Sequence, residues 1–292
     1  MGTLRLSRVV QPGRDGAGVT ARQSLAAGGA QPVALPARTR ARRDGPAARA
    51  VLGLAGLAAL LALWWLGTEV LAPAGGMARR FAPAATFASL WQLLTGSDLP
   101  LHVLVSLRRV AVGLGLALAI GVPLGLAIGS YRRLEAALSP AMQFLRMISP
   151  LSWMPIAVMV FGVGDDPVYF LLAFAAVWPI VLNTAAGVQQ LDARWLLLAQ
   201  SMAATRWETL RHVILPGVLG HILTGVRLAI GILWIVLVPC EMLGVSAGMG
   251  YFILDTRDRL AYSELMAMVL LIGALGFALD AAARALYRYW RG

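Results

Sequence analysis

Apolar runs of about 20 residues recur six times along this 292-residue chain, each long enough to cross a bilayer. They lie at about Ala50–Ala72, Leu101–Ser130, Ala136–Phe161, Val168–Val188, His221–Pro239 and Ser263–Leu286. Lipid offers the backbone no hydrogen-bond partner, so such runs must be helices or closed barrels, and runs this long and continuous are helices. Charged residues are 13% of the chain, against about 25% in soluble domains. The mean hydropathy is +0.73. These features exclude a disordered or collagen-like chain and disfavour a soluble enzyme. The fold class expected is an all-α membrane protein of six transmembrane helices.

Between the runs the organisation is as follows. Residues 1–49 are rich in Ala, Gly, Arg and Pro without apolar periodicity, and read as a disordered basic cytoplasmic tail. Residues 50–72 form a first anchor helix, too long for a signal-peptide core. In 73–100, Phe81, Phe87, Leu90, Trp91 and Leu94 recur at near-helical spacing, which suggests an interfacial amphipathic helix on the periplasmic side. The core spans 101–287 and the C-terminus 288–292. In the second run Gly113, Ala117, Gly121, Gly125 and Gly129 form a small-residue stripe that lets another helix come close. Packing within the chain is favoured over a seam between copies. Pro140, Pro150 and Pro155 break the third run.

All 25 basic residues are Arg, and the net charge is +11. The excess flanks apolar runs, so it speaks of topology and lipid rather than nucleic acid. The tail and the C-terminus are basic and the Asp165-Asp166 turn is acidic, which places both termini inside. Cys240 is the only cysteine, so no intrachain disulfide forms and no Cys-based metal site is available.

Residues 189–220 are polar, charged and helix-favouring, with Trp195 and Trp207 among the apolar side chains. About 30 residues is long for a connector. Two amphipathic pieces on the inner face read as a docking surface for a cytoplasmic partner, or as an interfacial helix resting on lipid. Here the chain resembles the membrane permease subunits of ABC importers, whose loop signature is E-A-A, three residues, Gly, nine residues, I-x-L-P. Leu215-Pro216 keeps the end, Val213 the Ile place and Ala199 the last Ala. Leu197-Leu198 replace Glu-Ala, and Ala203 stands at the Gly place. Ala203-Ala204-Thr205-Arg206-Trp207 resembles the usual Gly-Ala-Ser/Thr-Arg-Trp turn. Ser149–Pro155 with Phe161-Gly162, and Glu241–Gly244 with Gly248–Tyr251, resemble the nitrate/sulfonate/taurine/bicarbonate branch. The likeness covers roughly residues 80–286.

That resemblance implies the type I importer permease fold in the bacterial inner membrane, working by alternating access as a homodimer. Its partners would be two cytoplasmic ATP-binding subunits, carrying ATP and Mg, and a periplasmic substrate-binding protein. This chain would hold no cofactor. It has no Lys for a phosphate-binding loop. Coupling to the ATPase would fall to Ala199, Ala203, Ala204, Arg206, Trp207, Leu215 and Pro216. Close approach of the partner would favour a small residue at 203, and Leu215-Pro216 should stop the coupling helix.

Trp153, Asn183, Trp234 and Glu241 are candidates for lining the pathway of a small anion. Trp178 and Trp234 equally suit helix packing. Arg108, Arg109 and Arg227 either attract the anion or snorkel to the headgroups. Gly244-Val245-Ser246-Ala247-Gly248 matches the hydrolase elbow pattern, but the elbow needs a flanking strand, and no His is expected on the same side. No catalytic residue and no metal site are expected; His102, His212 and His221 are scattered. The competing classes are an ATP-independent channel or secondary carrier, which would transport without ATP, and an intramembrane hydrolase dependent on Ser246.

Overall fold

A computed structural model describes residues 46–73, 75–96 and 99–291. Most of the expected tail lies outside these residues. The chain divides into Met1–Ala55, of which 46–55 are described, as the start of the first helix, and Gly56–Gly292, which contains the rest of that helix and everything after it. Helix α1 (Pro46–Trp65) runs into a π-helical turn, Leu66–Val70. A 3-10 turn at Met77–Phe81 leads to α2 (Pro83–Gly96), which leaves Phe87, Trp91 and Leu94 exposed. Then come α3 (Leu99–Ser130), α4 (Arg132–Met147), a 3-10 turn at Pro150–Trp153, α5 (Met154–Phe161) and α6 (Asp165–Gln189). The remaining helices are α7 (Ala193–Ser201), α8 (Arg206–Thr209), α9 (Leu215–Glu241), α10 (Met249–Asp258) and α11 (Tyr262–Arg291). No strand occurs among the described residues. Among the described residues five helices are long and apolar enough to cross a membrane, and the bent pair α4/α5 makes up to six.

The core is built on α6, which lies between α3 and α9. The small-residue stripe of α3 faces α6. A Cβ on Gly113 would stand 2.7 Å from Leu172 Cβ, and one on Gly125 would stand 2.6 Å from Thr184 Cβ. On its other side, Gly187 of α6 meets Val218 and His221, and Gly225 of α9 meets the Pro179 carbonyl and Ile180. Helices in lipid gain little from burying apolar area, so close backbone approach supplies the attraction. The stripe therefore serves packing within the chain.

Three expectations need correction. The third run breaks at Pro150 and not at Pro140 or Pro155, and its two parts, α4 and α5, meet at 88°, as a broken span or a re-entrant pair does. Pro150 forbids the preceding residue the helical region, and Ser149 sits at ψ 130°. The connection between the fifth and sixth apolar runs, residues 240–262, is not a plain loop, since it contains α10. Leu215-Pro216 does not stop the coupling helix either. Residues 206–241 are continuously helical, because Pro216 falls in the first turn of α9, where its missing N–H is tolerated, and a π-helical turn at Leu210–Ile214 precedes it.

Candidate functional site

Two clusters sit at opposite ends of α9. The first is the 189–220 segment. Asp192 caps α7 by accepting from Arg194 N at 2.9 Å. Helix α7 closes in a Schellman turn: Ala204 N donates to Ala199 O and Ala203 N to Gln200 O, both at 3.0 Å. The C′ residue is Ala203, at φ +54°. This left-handed place is where glycine costs nothing and alanine costs about 1 kcal/mol. The Gly of the loop signature thus has a backbone reason beside the partner-approach reason, and Ala203 carries the cost of departing from it.

Thr205 then opens α8 with a capping box. Its Oγ1 accepts from Glu208 N, while Glu208 Oε2 accepts from Thr205 N at 2.8 Å. The Thr205 hydroxyl also donates to Glu208 Oε2 at 2.8 Å, and the N–H and the hydroxyl together hold the Glu208 carboxyl below the usual carboxylate range. The pattern Thr-x-x-Glu was visible in the sequence and went unread.

The turn presents apolar side chains outward. Trp207 is 67% exposed and Met202 75%, with Trp195, Leu197 and Leu198 beside them in the segment. Trp207, Leu210, Arg211, Leu215 and Leu126 of α3 line a groove of about 220 Å³. Arg206 and Pro216 are exposed, Ala204 is half-buried, and Ala199 is buried within the chain.

The second cluster was not anticipated. Arg109 of α3, 2% exposed, bridges two carboxylates. Its Nη1 donates to Glu241 Oε1 and to the Ala247 carbonyl, both at 2.7 Å. Its Nη2 and Nε donate to Asp165 Oδ1 at 2.6 and 3.1 Å. Glu241, fully buried at the end of α9, also accepts from Ser106 Oγ and, at 2.9 Å, from Gly250 N. Ser106 Oγ in turn accepts from Met249 N. Exposed Arg108 donates to Asp165 Oδ2 and to the Tyr169 hydroxyl. A cavity of about 560 Å³ opens beside Arg108, Arg109, Asp165 and Gly244–Ala247.

The four pathway candidates have separate partners. Glu241 is consumed by the ion-pair network. Trp234 Nε1 donates to the Ile272 carbonyl and packs on Gly276 of α11. Asn183 Nδ2 donates to the Pro179 carbonyl one turn back. Trp153 meets Phe174 at a tilt of 50°, Phe174 also meets Phe170 and Trp178, and the buried Nε1 of Trp153 has no hydrogen-bond partner among the described residues. Arg109 neither snorkels nor stands free. Arg227 pairs with Asp280 on α11. Ser246 lies in an irregular, exposed segment between two helices, without the strand an elbow needs. His102 does lie near that loop, contrary to expectation, because α3 begins at this end. Its Nδ1 accepts from Gly248 N at 3.1 Å, and its ring stacks on Tyr251. No group of three or more potential metal ligands converges among the described residues.

Comparison with known proteins gives a consistent result. The family described as "Binding-protein-dependent transport system inner membrane component" matches residues 121–291. The chain is 35% identical to the bicarbonate transport system permease protein CmpB of Synechococcus elongatus, over 90% of this chain and 95% of that one. It is 30% identical to the taurine transport system permease protein TauC of Escherichia coli, over 82% and 90%. It is 30% identical to the nitrate import permease protein NrtB of Synechococcus elongatus, over 75% and 82%. Among solved structures, a bacterial ABC transporter that imports alginate superposes with a TM-score of 0.54 at 14% identity, covering 82% of this chain and 92% of that one. The MetNI methionine ABC transporter in an inward facing form gives 0.53 at 14%, covering 71% and 96%. These structural likenesses carry the fold. The chain belongs to the binding-protein-dependent transport system inner membrane component family, and it is the multi-pass permease subunit of an ABC importer, a transport component rather than an enzyme.

Proposed function

We propose that two copies of this chain form the channel through which a small anion crosses the inner membrane, with both termini in the cytoplasm. The relatives are named for bicarbonate, nitrate, taurine and aliphatic sulfonates, all bearing an anionic oxygen head group. The 189–220 segment of each copy seats in one of two ATP-hydrolysing subunits, which hold the ATP and Mg. A periplasmic binding protein delivers the substrate and contributes to selectivity. Closure of the ATPase pair moves the Trp207 turn as a rigid body, and the continuous helix from Arg206 to Glu241 carries that displacement to the far end of the molecule.

The observation that carries this reading is the capped Trp207 turn, rigid in its backbone and bare in its apolar side chains. Exposed Trp is a common anchor of protein interfaces. The test is uptake into proteoliposomes holding the complete complex, offered labelled bicarbonate, nitrate and taurine in turn. One of them is expected to accumulate only with ATP inside and binding protein outside. Trp207→Glu should lower that uptake by about tenfold or more, the effect of losing one anchor, while membrane insertion stays normal. Accumulation without ATP would refute the reading.

A further inference from the structure

The two arms of the Arg109 bridge differ in a way that transport can use. On the Glu241 arm both partners are almost wholly buried. Ser106 and Gly250 N complete the carboxylate's bonding, and the loop passing over it leaves no room for side chains. A Cβ on Gly248 would stand 2.5 Å from Arg109 Nη1, and one on Gly250 would stand 2.3 Å from the Val238 carbonyl. Separating this pair would strand a charge away from water, which is strongly unfavourable.

On the other arm Asp165 is 30% exposed and opens onto the 560 Å³ cavity. Water can hydrate both groups there as they part, so the contact is far easier to break. Asp165 also follows a natural hinge. Gly162 and Gly164 sit at φ +82° and +138°, in the short turn that joins α5 to α6.

We propose that the Asp165–Arg109 contact is the closing latch of the periplasmic mouth. Glu241 fixes Arg109 to α9 and the 242–250 loop, and Asp165 releases when the permease opens outward. Asp165 is therefore a positioning residue for gating. The assignment rests on the orientation proposed above, which puts this end of the bundle outside. A latch biases a two-state equilibrium only by being made in one state and absent in the other.

The test uses the complete complex in proteoliposomes and reads ATP hydrolysis without binding protein. Asp165→Asn should raise that basal rate about tenfold, the order expected when one charge-assisted contact of a single state is lost. The stimulation ratio on adding binding protein should fall. Asp165→Glu, which keeps the charge, should return toward the wild-type basal rate. Asp166→Asn removes the same charge from the same helix turn, yet Asp166 is exposed and outside the Arg109 network, so it should behave as wild type. A merely structural role would lower basal and stimulated rates together. Equal basal rates in Asp165→Asn and wild type, or equal effects of the two Asn variants, would overturn the latch. Orientation is read separately. Ser246→Cys should be labelled in intact cells by a membrane-impermeant maleimide, with buried Cys240 silent. Absence of labelling would overturn the orientation and the latch with it. Labelling together with an unchanged basal rate would overturn the latch alone.

Discussion

Arg109→Gln is expected to destabilise the permease by about 3–5 kcal/mol, the range found when one partner of a buried ion pair is removed. Glu241 would then lose its cation at zero exposure, with only Ser106 Oγ and Gly250 N to accept from. Among the described residues no second cation contacts it. Asp165 would suffer less, since Arg108 and Tyr169 remain. The reverse substitution should be milder. In Glu241→Gln, Arg109 retains the Asp165 carboxylate as its neutraliser. Thermal unfolding of the detergent-purified complex checks the order: Arg109→Gln lowest, Glu241→Gln between it and wild type. If the two variants melt together, the Asp165 arm contributes nothing to neutralising Arg109, and the bridge described here is wrong.

Gly125→Leu should prevent α3 from packing on α6. Its Cβ alone would stand 2.6 Å from Thr184 Cβ and 2.8 Å from the Val181 carbonyl, and the second of these is backbone that cannot rotate away. Overpacking by a methylene or two costs roughly 1–3 kcal/mol. Four carbons against a main-chain carbonyl should cost more and separate the two helices. Gly115→Leu on the same helix is the matched control, because nothing lies within 4 Å of its Cβ position. Size-exclusion profiles of the two variants should differ sharply, with Gly125→Leu aggregated and Gly115→Leu monodisperse. A monodisperse Gly125→Leu would mean that α3 and α6 do not approach as closely as described.

Much of the fold could be read from the sequence because lipid simplifies the code. Apolar length alone marks a helix, and a small residue every fourth position in 113–129 marks its packing face. The break at Pro150 was legible as a proline but not as an 88° turn, since proline also sits inside α3, α6 and α9 without parting them. Pro216 shows the converse: the same residue that ends a helix from outside is accepted in the first turn of the next.

Sites divide along a similar line. The Thr205–Glu208 box and the residue at 203 are local, so a short window of sequence contains them. The Arg109 bridge joins residues 56 and 132 positions apart, which no periodicity reports. Its only trace was the presence of an arginine and a glutamate within apolar runs. The structure pairs the two charges with each other.

The central claim is that the Trp207 turn is the handle gripped by the ATPase subunit. Met202→Cys tests it most directly, because Met202 is the more exposed of the two large apolar side chains of that turn and its replacement leaves the Trp207 anchor intact. In inside-out vesicles stripped of the ATPase subunit, a membrane-impermeant maleimide should label Cys at 202 rapidly, and adding the purified subunit back should protect it. Labelling at the same rate with and without the subunit, or labelling from the outside of intact cells, would contradict the account.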